Sequence, residues 1–244
     1  MSIQIIYLIL AFIFTAFLGK IIIPILKKLK VAQSEREDGP RSHLKKQGTP
    51  TMGGIMMMIS IIVLTAIACL LNREMEFVKP VLMISIASLG FGIVGFIDDF
   101  KKVVLHNTEG LNPKLKMLGL LIISVLYTTV LIKYANISTE LLLPFTNYKL
   151  TLPTWFFIPF TIIVMLASTN AVNLTDGVDG LAGSVSSIMI TAISIIAIKL
   201  GYADISIFGA IVFGTFLGFL IYNFHKANVM MGDTGSLLLR RSDF

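Results

Sequence analysis

The chain has 244 residues, 55% of them hydrophobic and 14% charged, with a mean hydropathy of +0.86 and a formal net charge of +6. That balance excludes a water-soluble globular domain and makes the bilayer the solvent. The single cysteine, Cys69, lies in an apolar run without a partner, which excludes a disulfide framework and a cysteine-based metal site.

Apolar runs of about 20 residues, the length that crosses the hydrocarbon core, predict seven spans and the start of an eighth. In chain order they are residues 3–26, 53–72, 78–97, 115–133, 155–172, 181–199 and 205–223, with a stub from about 235. The first run has neither a basic leader nor a small-residue cleavage site and reads as a retained helix. Lys20 and Pro24 fall near its end, where snorkelling and a kink are tolerated. No internal repeat or low-complexity segment interrupts the pattern. The expected fold is an all-α polytopic membrane protein forming one domain over residues 1–244.

Basic residues orient these spans. Lys27, Lys28, Lys30, Arg36, Arg41, Lys45 and Lys46 follow the first span, and Lys101, Lys102, Lys114 and Lys116 follow the third. The alternate connections hold Arg73, Lys79, Lys149 and Lys199, with Lys133 at a helix end. The positive-inside rule then puts the N-terminus outside and the two basic loops in the cytoplasm. Helix parity carries Asp98, Asp99, Asp176, Asp179 and Asp233 to that same face, although none of them entered the argument. A carboxylate at the bilayer centre costs roughly 3 kcal/mol, so acids kept at helix ends point to a working surface.

Four clusters carry the chemistry. In Gly95-Phe96-Ile97-Asp98-Asp99-Phe100-Lys101-Lys102, the adjacent carboxylates are made tolerable by a hard cation or a shared proton, and the lysines suit phosphate. A solvated helix end is the plain alternative. In Asn173-Leu174-Thr175-Asp176-Gly177-Val178-Asp179-Gly180, the polar turn offers acceptors for a nucleobase or ribose. A calcium loop fails there for want of the spaced ligands and the terminal glutamate. In Met230-Met231-Gly232-Asp233-Thr234-Gly235-Ser236, Thr234 or Ser236 would cap the eighth helix, whose freed amides would favour an anion. The fourth is the first basic loop, with His43, Lys45 and Lys46 leading to Gly48-Thr49-Pro50-Thr51-Met52-Gly53-Gly54. It offers cations for a nucleotide diphosphate. His43, His106 and His225 are read as ordinary polar residues.

Together these segments resemble the phospho-N-acetylmuramoyl-pentapeptide transferase family of the polyprenyl-phosphate N-acetylhexosamine-1-phosphate transferase superfamily. The resemblance runs from about residue 5 to Leu237 and is most specific over Gly48–Gly54 and Asn173–Leu181. It implies transfer of phospho-N-acetylmuramoyl-pentapeptide from UDP to undecaprenyl phosphate, giving lipid I and UMP, with Mg²⁺. By the family's pattern Asp98, Asp99 and Asp233 are catalytic, Asp233 and Asp99 the metal ligands, and Lys102 and Lys116 phosphate-binding. Lys46, Asn173, Asp176, Gly177, Asp179 and Met230 would line the nucleotide pocket. The implied partners are the UDP-linked donor, undecaprenyl phosphate and the bacterial bilayer. No nucleic-acid partner is expected, and a homodimer is admitted although no residue pattern argues for one.

Two departures from the family stand out. Met230 occupies the place of a usual phenylalanine and keeps bulk without ring stacking. The family's later helices and consecutive histidines are not present, so the chain reads as C-terminally truncated and is expected to be inactive alone. The rival functions are a UDP-N-acetylglucosamine:polyprenyl-phosphate transferase, against which Thr49–Gly54 argues, and an ion-coupled transporter. A transporter would place its acids near the midplane of discontinuous helices.

Overall fold

The computed structural model describes residues 2–29, 49–104, 110–134, 138–143, 146 and 148–238. Seven membrane-length helices are present: α1 (Ile3–Lys28), α2 (Gly54–Leu71), α3 (Met75–Val104), α4 (Pro113–Tyr134), α5 (Thr154–Thr175), α6 (Leu181–Leu200) and α7 (Ala203–Asn223). The eighth, α8 (Gly232–Leu238 among the described residues), corresponds to the predicted start of an eighth helix. Strands β1 (Glu140–Leu142) and β2 (Lys149–Thr151) form an antiparallel hairpin between α4 and α5, with Glu140 opposite Thr151.

The largest difference from the predicted spans is α3, which does not stop with its apolar run at residue 97 but continues through the polar end to Val104. The Asp98–Lys102 ion pair lies one turn apart on that extension and supports it. Asp98 and Asp99 are therefore helical residues rather than the start of a loop.

Burial ranks the helices. α7 is the most buried of the membrane-length helices and α1 the least, so α7 is the hub and α1 a peripheral helix. The two pack closely because Gly214 and Gly218 leave no side chain between them and α1, the small-residue solution to packing without a hydrophobic drive between helices. Hydroxyls tie the layer together: buried Thr15 donates to Ser60 at 2.7 Å, and half-buried Tyr222 donates to the Ala16 carbonyl at 2.6 Å.

The hairpin, with exposed Tyr148 and Trp155 beside it, marks one end of the bundle. Near it α3 to α7 enclose an apolar cavity of about 510 Å³, lined among others by Met83, Tyr127, Leu131, Phe157 and Ile193. The acidic clusters lie at the other end, so the cavity and the polar chemistry are separate.

Candidate active site

The site is built around the start of α8. The segments before α2 and before α8 pair through their backbones: Gly53 donates to the Met230 carbonyl at 2.9 Å, Gly54 to Met231 at 2.9 Å, and Met230 to Pro50 at 2.8 Å. Gly232 then turns the chain with φ +73°, a left-handed conformation that L side chains rarely adopt. The first turn of α8 beds between Gly54 of α2 and Gly95 of α3. A Cβ on Gly54 would overlap the Gly235 backbone, and one on Gly95 would overlap the Asp233 carbonyl.

Because successive residues of a helix project about 100° apart, Asp98 and Asp99 face different neighbours. Each is 2% exposed. Asp99 points at α8: one oxygen accepts from the Asp233 N–H at 3.1 Å, the other from the Thr234 N–H at 2.7 Å and its hydroxyl at 2.6 Å. Asp176, the residue that ends α5, accepts from the Gly232 N–H at 2.8 Å. The amides expected to favour an anion are thus taken by two carboxyl groups of the chain itself. Burial pushes the Asp176 carboxyl up to about 8, aided by the charges of Asp99 and Asp233 and opposed by the Gly232 and Met231 amides.

Asp98 points instead toward α4 and meets Asp233. Lys102 bridges the two, 3.0 Å from Asp98 Oδ2 and 2.5 Å from Asp233 Oδ2. Lys116 bridges them again, 3.2 Å from Asp98 Oδ2 and 3.0 Å from Asp233 Oδ1. The Leu111 N–H donates to the other Asp98 oxygen at 2.6 Å. Asn173, on the last turn of α5, donates its side-chain amide to Asp233 and to Ser236 Oγ. Burial opposes ionisation of Asp233, but its hydrogen bond with Asp98 and the charges of Lys116 and Lys102 outweigh that and hold its carboxyl below the usual carboxylate range. Two hydrogen-bonded carboxyl groups and two ammonium groups thus meet in one centre.

The structure brings together Asp98, Asp233, Lys102, Lys116 and Asn173, with Asp99 and Asp176 behind them on the α8 amides. Gly177 and Asp179 lie in the adjoining α5–α6 turn, where Asp179 accepts from the Ala227 N–H at 3.2 Å. Met230 is buried, 1% exposed, beside this turn's partner segment. Lys46 lies outside the described residues. Sequence reasoning missed Asn223, which joins the two turns by accepting from Gly180 N–H at 3.0 Å and donating to the Val229 carbonyl at 2.9 Å. It also missed the Leu111 amide. A helix-terminal asparagine and a backbone N–H carry no periodicity or motif that could have singled them out.

A hard divalent cation suits part of this donor set. Among the described residues no three carboxylate, imidazole or thiolate groups form a ready-made cage. Mg²⁺, however, commonly takes one or two carboxylates and completes its shell with water and phosphate. Asp98 and Asp233 face each other across positive charge, with the Asn173 amide alongside, and these are the groups that could hold such an ion. Asp99 has both oxygens engaged by α8.

Seven membrane-length helices with a lysine-bridged acidic centre at one end define a polytopic membrane protein. Residues 81–240 match the family described as glycosyl transferase family 4. Over 95% of its length the chain is 45% identical to the phospho-N-acetylmuramoyl-pentapeptide-transferase of Halalkalibacterium halodurans, covering 70% of that protein. It is likewise similar to the enzymes of that name from Clostridium botulinum, 43% identical over 95% of the chain and 69% of the relative, and from Bacillus subtilis, 40% identical over 95% and 70%. The chain belongs to glycosyl transferase family 4, within its phospho-N-acetylmuramoyl-pentapeptide-transferase group.

Proposed function

We propose that the chain transfers phospho-N-acetylmuramoyl-pentapeptide from UDP to undecaprenyl phosphate, forming lipid I and UMP at the cytoplasmic face of a bacterial membrane. The observation that carries this reading is the convergence of Asp98, Asp233, Lys102 and Lys116 at one end of the bundle in a member of this family. A membrane-bound phosphate can meet a water-soluble nucleotide sugar only at such a rim.

The reaction brings two anions together, and the chain answers with preplaced cations. Lys102 and Lys116 are each shared between two carboxylates, so either ammonium group can turn an N–H toward a phosphate oxygen without leaving the centre. The acceptor's phosphate oxygen bonds to the phosphorus attached to the sugar while that phosphorus's bond to UMP breaks, UMP leaving with the electron pair. The Asp98 carboxyl, which shares a hydrogen bond with Asp233, is placed beside the incoming phosphate. Mg²⁺, when bound, would neutralise phosphate charge, held by Asp98, Asp233 and the Asn173 amide. The turn carrying Asp176, Gly177 and Asp179 would receive the uridine.

The test is radiolabelled transfer in membranes free of other such enzymes, using a chimera in which residues 1–238 replace the matching part of the Bacillus subtilis relative. Lipid-linked product is expected from UDP-N-acetylmuramoyl-pentapeptide with Mg²⁺ and not from UDP-N-acetylglucosamine. The reverse preference would overturn the reading.

A further inference from the structure

Asp98 and Asp99 are adjacent and equally buried, yet their oxygens do different things. Asp98 is bound by ammonium groups and one loop amide, the pattern of a group within a charge centre. Asp99 is bound by the first amides of α8 and the Thr234 hydroxyl, the pattern of an N-cap supplied from a neighbouring helix. We propose that Asp99 is a positioning residue, capping α8 from α3 so that Asp233 is held against Asp98, and that it ligates no metal and touches no phosphate.

Three further observations support it. Thr234 is fully buried, so no water can replace Asp99 at its hydroxyl and amide. Asp176 holds the preceding amide, Gly232 N–H, from the opposite side, so the start of α8 is gripped between α3 and the end of α5. The bed is also shaped for one position only: a Cβ on Gly232 would lie 2.8 Å from Asp99 Oδ2, and Gly54 and Gly95 leave no space beneath. The start of α8 thus takes its register from these contacts with α2, α3 and the end of α5. Asp233, the second residue of that helix, inherits its place from them.

The inference rests on the reading of Asp98 and Asp233 as the reactive centre, and its test separates the two. Amide hydrogen exchange is measured across residues 231–238 of the purified chain in micelles, for the parent, Asp99→Asn, Thr234→Val and Thr234→Ser. Exchange at residues 233–235 is expected to rise about fivefold or more in Asp99→Asn and Thr234→Val, the change that matches a lost N-cap, and to stay near the parent's in Thr234→Ser. Mn²⁺ binding to the same proteins, followed by paramagnetic resonance, is the readout that mere folding support would not move. Thr234→Val, which removes no metal-binding oxygen of the centre, should weaken it several-fold, and Thr234→Ser should restore it. Loss of Mn²⁺ in Asp99→Asn alone, with Thr234→Val exchanging and binding like the parent, would make Asp99 a direct ligand and overturn the proposal. The expected exchange pattern with no Mn²⁺ bound even by the parent would keep the cap and overturn the metal-holding centre.

Discussion

Gly95 of α3 and Asp233 of α8 meet backbone to backbone, close enough that a methyl group on Gly95 would overlap the Asp233 carbonyl. The carboxylate shared by Lys102 and Lys116 thus hangs from a main chain that cannot move toward α3. Gly95→Ala should push α8 outward. The expected result is a transfer rate lowered on the order of a hundredfold, since a displacement of about 1 Å suffices, with stability reduced by about 1–3 kcal/mol. Lipid-product formation by the chimera and its melting temperature check this; a Gly95→Ala protein with normal turnover would contradict it.

The two lysines compensate two carboxylates, so removing one cation should be worse than removing a cation and an anion together. Lys116→Met is expected to lower turnover by about 10²–10³-fold. It should also melt below the Lys116→Met/Asp98→Asn double variant, because the single change leaves a buried carboxylate short of its partner. Equal or reversed melting temperatures would show that the charges are not balanced in this way.

Asp176 predicts a pH dependence. Its carboxyl is raised by burial from 3.8 to about 8 in the folded chain. A raised acid keeps its proton when folded while the unfolded chain releases it, so its contribution is complete below about pH 4 and is lost as pH rises through about 8. Melting temperature in micelles should therefore fall across that window, and the fall should be shallower in Asp176→Asn. An identical slope in the two proteins would remove Asp176 as its source.

Orientation is testable at exposed positions. In a Cys69→Ser background, Leu174→Cys is 83% exposed in the parent beside the acidic centre and Tyr148→Cys is 65% exposed by the hairpin. With an impermeant thiol reagent on intact cells, Tyr148→Cys should label and Leu174→Cys should label only after the membrane is opened. The opposite pattern would invert the topology.

Much of this protein was legible in the chain itself. Seven spans and an eighth start follow from apolar length, because a membrane helix satisfies its own backbone and needs no partner to be recognised. Parity then places Asp98, Asp176 and Asp233 at one end, as the structure shows. The end of α3 was not legible, since hydropathy falls at Ile97 while the helix is continued by Asp98 and Lys102 one turn apart.

What the sequence alone determined is the membrane class, the helix order and the residue types gathered at one end, all of which depend on local composition and period. What only the tertiary structure decided is the division of labour among those acids. Asp98 and Asp99 are indistinguishable as neighbours in a string; a helical step of about 100° sends one to the lysines and the other to the α8 amides. Asn223, Gly54 and Gly95 matter through contacts with residues far along the chain, and such contacts exist only once the helices have packed.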